Sequence, residues 1–151
     1  MKGLAVQDAC APGKINTCFC CGRDNPLGLR IKTYWDGHRG ICRFKPQPHH
    51  TGPPGLLYGG LIASLFDCHS MATAMAAYEA ENRDPSSEPA ILFLTANLNV
   101  DYLRPVPIES EVVLRARVEE LSSRKAVAAC RLRKRGVFCQ RGRVIGIRAA
   151  D

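Results

Sequence analysis

Residues 56–78 read LLYGGLIASLFDCHSMATAMAAY: a glycine pair at 59 and 60, then an apolar run interrupted by Asp67 between Phe66 and Cys68. The Leu, Ile, Ala and Met content favours a helix from about Tyr58 to Tyr78, about 30 Å long. Apolar residues occupy nearly every side of it, which marks a helix covered by other structure around most of its circumference. An ionised carboxylate in such a setting is costly without a partner, so Asp67 is either paired or used.

The flanking segments say what covers the helix. Upstream, LRIKTYWDGHRGICRF (29–44) holds two short strand patterns joined by Asp36-Gly37, a dipeptide suited to a tight hairpin turn. KPQPHHTGPPG (45–55), with four prolines and two glycines, is too rich in breakers for an element and reads as a loop. Downstream, ENRDPSSEP (81–89) ends the helical pattern and four strand patterns follow, at 90–105, 110–121, 125–136 and 136–147. In the first of these, Leu94, Ala96, Leu98, Val100 and Tyr102 alternate with Thr95, Asn97, Asn99 and Asp101, the period of a strand with one buried face. Short connections such as LSSRK make the pairing mostly antiparallel. The expected architecture is α+β: a curved antiparallel sheet of about six strands wrapped around one long central helix. Residues 1–28 are expected as an N-terminal segment packing on a single domain formed by residues 29–151.

Composition narrows the function. A chain of 151 residues is long enough for one core and short enough to leave part of that core to an interface between copies. Asp67, His69 and Ser70 break the longest apolar run before membrane-spanning length, and MKGLAVQDACAPGK lacks the apolar centre of a signal peptide. The expectation is a soluble cytoplasmic protein with no membrane partner. The eight cysteines then read as reduced thiols. Cys18 and Cys21 hold a C-x-x-C spacing, but a structural zinc site needs four ligands and no second pair lies downstream, so no metal and no cofactor are expected. The net charge of +7 is concentrated in RLRKRGVFCQRGRVIGIR (131–148), which suits an anionic ligand. Without interleaved aromatics or a recognisable motif it does not point to nucleic acid.

Gly59 and Gly60 open the helix, where the first N–H groups lack intrahelical partners and the dipole is positive, a setting that welcomes an oxyanion. Glycine there lets a carbonyl approach the backbone, although close chain packing alone would also ask for it. Asp67 follows Gly59 by eight residues, on roughly the same side but about 12 Å along the axis. One chain cannot bring both to one carbonyl, whereas two copies with antiparallel helices would form two equivalent sites under two-fold symmetry. A Ser-His-Asp reading of Asp67, His69 and Ser70 fails, because at about 100° per residue Asp67 and His69 point to nearly opposite sides. His69 reads instead as a packed or interface histidine.

The run HHTGPPGLLYGGLIASLFDCHS resembles the H-G-G-x-x-x-x-L-x-D signature of hotdog-fold acyl-CoA thioesterases of the phenylacetic-acid-degradation type. TANLNVDYLRPVP is similar to that family's strand ending in an aromatic and a proline, and CFCCGRDNPLGL to an N-terminal C-x-x-C-G-x-x-N-P-x-G-L stretch. The resemblance implies that the N–H of Gly60 polarises a thioester carbonyl while Asp67 of a second chain attacks it or activates water. It implies an acyl-CoA substrate and a homodimer or dimer of dimers. Tyr58 stands where the family usually has His, and His50 or Thr51 where it often has Asn or Gln. Thr95 corresponds to a Ser or Thr near the nucleophile, yet strand alternation places it on the polar face unless a bulge turns it. The substrate-binding candidates are thus Gly59, Tyr58, His50, Thr51 and Thr95. A non-catalytic acyl-CoA-binding module and a hydratase or dehydratase of the same fold are the rival readings.

Overall fold

A computed structural model describes residues 3–9, 15–82 and 91–149. Its elements are α1 (Val6–Ala9), β1 (Thr33–Trp35), β2 (Gly40–Phe44), a 3-10 turn (Pro48–His50), α2 (Gly59–Asn82), β3 (Phe93–Tyr102), β4 (Val112–Leu121), β5 (Lys125–Lys134) and β6 (Val137–Arg148). The strands form one antiparallel sheet in the order β1-β2-β4-β5-β6-β3, and α2 lies across its inner face. This is the α+β arrangement expected. No helix among the described residues is long and apolar enough to cross a membrane.

The 36–39 turn forms as expected: the Asp36 N–H bonds the Arg39 carbonyl at 3.1 Å, and Gly37 takes a φ of 104° that other residues resist. The helix runs four residues beyond the expected Tyr78, to Asn82. Most of the ENRDPSSEP stretch lies outside the described residues. The 45–55 loop contains the 3-10 turn, closed by the His50 N–H on the Gln47 carbonyl at 2.9 Å. In the N-terminal segment, Val6, Cys20 and Cys21 are buried in the core.

Alternation in β4 holds, with Val112, Leu114 and Ala116 buried and Arg115 and Arg117 exposed. In β3 it does not hold throughout. Thr95 pairs with Gly146 and Asn97 with Ile145, so Ala96 is an extra residue with no rung of its own, a β-bulge. The bulge reverses the side-chain phase. Leu98 and Val100 pack on the core as expected, but before the bulge it is Phe93 and Thr95 that turn toward α2, while Leu94 is 56% exposed. Leu94 and Ala96 are therefore not on the buried face.

Glycines let the helix settle on the sheet. A Cβ on Gly142 would come within 2.5 Å of the Phe66 ring and 2.8 Å of the Asn99 carbonyl; one on Gly40 would overlap Thr73, and one on Gly146 would overlap Met71. Leu65, Phe66 and His69 are fully buried between these glycines and the strands. The Thr33 hydroxyl accepts from Gln7 Nε2 at 3.3 Å and lies 2.9 Å from His69 Nδ1, so its own hydrogen is free to be donated to that nitrogen. Burial holds the imidazole neutral, its pKa pushed down to about 3. His69 is thus a packed histidine, facing β1 while Asp67 faces β3.

Candidate active site

Two groups of candidate residues stand at different heights on α2. The first surrounds its N-terminus. The Ile62 N–H is bonded to the Tyr58 carbonyl at 3.1 Å, which leaves the N–H groups of Gly59, Gly60 and Leu61 ahead of that first intrahelical bond. The Tyr58 ring lies over Gly60, so that a Cβ there would meet ring atoms at 2.6–2.7 Å. Tyr102, at the end of β3, donates its hydroxyl to the Gly59 carbonyl at 2.7 Å. Burial and the neighbouring Tyr58 raise the pKa of that phenol, which keeps it a donor. A cleft of about 180 Å³ opens beside Gly59, lined by Pro53, Leu56, Tyr102 and Leu103 among others.

In the preceding loop the candidate side chains are engaged locally. Thr51 donates its hydroxyl to the carbonyls of Pro53 and Leu56, at 3.3 and 3.2 Å. His50 accepts the Gln47 N–H on Nδ1 at 3.0 Å and stacks on Phe44, and burial together with His49 depresses its pKa. Its carbonyl accepts the Tyr58 N–H at 3.0 Å, so His50 reaches the helix entrance through its backbone while its ring is engaged elsewhere. The glycine pair divides in the same way: a Cβ on Gly59 would make only ordinary contact with Tyr102, at 3.5 Å. Gly60→Ala is therefore expected to displace the Tyr58 ring and lower turnover by about 10²-fold, with Gly59→Ala much closer to wild type. Steady-state kinetics of the two variants side by side measure the difference.

The second group lies about two turns further on. Asp67 is half-buried and accepts a hydrogen bond on Oδ1 from the Thr95 hydroxyl. That contact exists because the Ala96 bulge turns Thr95 inward. The pair lines a cleft of about 530 Å³ whose wall is largely apolar, with Met71, Met75, Leu92 and Phe93, and partly thiol, with Cys18, Cys21 and Cys68. Such a cleft accommodates a carbon chain beside a carboxylate. β3, which supplies Thr95, is an edge strand, paired among the described residues with β6 alone.

Sequence reasoning missed two contributors. Tyr102 was read as an apolar strand position, although an aromatic closing the strand was already part of the resemblance. Cys68 carried a signal only through its place next to Asp67. The arginines stand on the outer sheet face: Arg115, Arg131 and Arg141 form one cross-strand row, and Arg141 pairs with Asp101 at 2.7 Å. Arg143 reaches Glu119 and Glu120 at 3.4 and 3.3 Å, so part of the stripe is compensated locally.

Residues 54–137 match the thioesterase superfamily. The chain is 36% identical over 95 residues to acyl-coenzyme A thioesterase THEM4 of Xenopus laevis, covering 63% of this chain and 37% of that protein. It is 33% identical over 117 residues to THEM4 of Bos taurus, covering 76% of this chain and 43% of that one. It thus spans about two fifths of the length of these curated relatives. A thioesterase superfamily protein from Shewanella loihica superposes with a TM-score of 0.66 at 38% identity, over 80% of this chain and 91% of that one. With the matched region running from the loop before α2 into the first residue of β6, the chain belongs to the thioesterase superfamily.

Proposed function

We propose that the chain hydrolyses an acyl-CoA thioester to a free acid and CoA, in the manner of the phenylacetic-acid-degradation type, as a homodimer or dimer of dimers. The observation that carries this reading is the division of the site. An N-terminus able to hold an oxyanion and a carboxylate in an apolar cleft lie on one helix, about 10 Å apart, too far to serve one carbonyl. A second copy with its helix antiparallel would set the Gly60 N–H of one protomer beside the partner's Asp67, and the unpaired edge of β3, next to Thr95, suits such an association.

In one route Asp67 takes a proton from water as the oxygen attacks the carbonyl; the oxyanion is held by Gly60, the C–S bond breaks, and the thiolate leaves. In the other the carboxylate attacks, expels the thiolate and forms a mixed anhydride that water then opens. Thr95 orients the carboxylate in either case. Ile15, Thr17, Cys18 and Cys21 serve as a wall of the cleft. Arg115 and Arg131, without an ion pair among the described residues, offer partners for CoA phosphates. The relatives' acyl-coenzyme A thioesterase names and the family membership support the substrate class.

Release of free thiol from a series of acyl-CoAs tests the reading. Turnover is expected on at least one chain length. Binding of acyl-CoA without release would replace hydrolysis by a non-catalytic binding module, the reading to which the Tyr58 ring over Gly60 lends weight.

A further inference from the structure

The cysteines of the 530 Å³ cleft are used by neither hydrolytic route. The TCFCCG segment folds into a tight turn: the Gly22 N–H bonds the Cys18 carbonyl at 2.9 Å, and a side chain at Gly22 would overlap the Asn16 carbonyl and the Cys18 amide. The turn presents Cys18 and Cys21 together to α2. There Cys68 meets them, its sulfur 3.7 Å from that of Cys18, and the three sulfurs all lie within 4.8 Å of one another. Cys20 also neighbours Cys68 but donates its thiol to the Ser64 carbonyl at 3.2 Å and does not complete the group of three. The C-x-x-C pair that lacked a second pair in the sequence thus gains one thiol from 47 residues downstream of Cys21, on the helix.

We propose that Cys18, Cys21 and Cys68 form a three-thiolate site for a thiophilic d10 cation, for which Zn²⁺ is the fitting ion. Zinc–thiolate bonds of about 2.3 Å in tetrahedral geometry separate their sulfurs by about 3.8 Å, close to the Cys18–Cys68 spacing and within a small side-chain adjustment of the others. Three soft ligands select such a cation over oxygen-seeking ones. A disulfide would use two of the sulfurs and leave the presence of the third without a reason. With three protein ligands the fourth position stays open toward the cleft, for water or an external thiol. Binding changes no oxidation state: the thiols give their protons to solvent and each sulfur donates a lone pair to the cation. An occupied site would clamp the N-terminal turn to the middle of α2, one residue from Asp67.

The test uses the full chain, reduced and freed of metal, titrated with Zn²⁺ and weighed by native mass spectrometry. One Zn²⁺ per chain is expected, with uptake lost in Cys18→Ser, Cys21→Ser and Cys68→Ser and kept in Cys20→Ser and Cys139→Ser. Co²⁺ should give the thiolate charge-transfer absorption of a sulfur-rich tetrahedral site. On the unaltered chain, which removes any doubt about variant folding, Zn²⁺ should protect Cys18 and Cys68 from alkylation as mapped by peptide mass. No uptake by the reduced chain, uptake undiminished in Cys68→Ser, or alkylation of Cys18 and Cys68 indifferent to Zn²⁺ would each overturn the site.

Discussion

Asp67→Asn is expected to lower thioester hydrolysis by about 10²–10⁴-fold, the contribution of a positioned general base or nucleophile, while leaving the fold intact. Asparagine has the same shape and its amide oxygen still accepts the Thr95 hydroxyl, so the Tm should stay near that of wild type. Equal turnover in the variant would remove Asp67 from the chemistry. A second variant locates the site between chains. Gly60→Pro deletes the oxyanion donor at a helical position whose N–H has no intrahelical partner; Gly59 before it has no Cβ to clash with the proline ring, and the Tyr58 side chain is displaced as in Gly60→Ala. Each variant alone should be nearly inactive. Mixed in equal amounts under subunit exchange, half the dimers are hybrids, and each hybrid carries one intact site, built from Gly60 of the Asp67→Asn chain and Asp67 of the Gly60→Pro chain. About a quarter of wild-type activity should then return. Failure of the mixture to recover, with hybrids verified by mass, would place both groups within one chain.

The second large effect concerns the seat of α2 on the sheet. Phe66→Ala, which empties a fully buried aromatic site, is expected to cost about 3–5 kcal/mol. Gly142→Ala should cost about 1–3 kcal/mol, because its new methyl meets a ring locked in the core and a strand carbonyl, neither of which can swing away. Gly146→Ala, although its methyl would also overlap a neighbour, meets the thioether end of Met71, which has other rotamers available, and should cost distinctly less. The two changes at 66 and 142 fill and empty one volume. Their combination is therefore expected to be less destabilising than the sum of the singles, as measured by urea unfolding. Strict additivity would mean that Gly142 is required by the neighbouring β3 backbone and not by the helix.

The element order, the single buried helix and the antiparallel sheet could be read from the sequence because each rests on a local pattern: alternation at 112–118, an Asp-Gly turn at 36–37, an uninterrupted helix-forming run after the glycine pair. Asp67 and Gly60 were legible as candidates for the same reason, since an acid in an apolar helix and glycines at its start are visible without tertiary information. What stayed hidden depends on contacts between distant segments. Cys68 is one example: its proximity to Cys18 is a product of how the N-terminal turn packs, and no spacing along the chain encodes it. Thr51 and His50 show the reverse, residues of suitable chemistry at a suitable position whose side chains are taken up by their own loop.

The extra residue at Ala96 makes the site a matter of phase rather than of composition. Every side chain from Phe93 to Thr95 owes its orientation to a count, not to its identity. Deleting Ala96 would restore regular pairing with β6 and leave every facing as it is, Thr95 still opposite Gly146 on the helix side and Leu94 opposite Ile147 on the outer side. A β3 of the same sequence paired without the bulge, with Ala96 on a rung of its own, would instead turn Thr95 away from Asp67 and swing Leu94 under the helix, losing the hydroxyl that holds the acid in place. The same arithmetic governs comparison with relatives: residues on the two sides of position 96 answer to opposite parities, and an alignment drawn through it without a gap pairs inward side chains with outward ones.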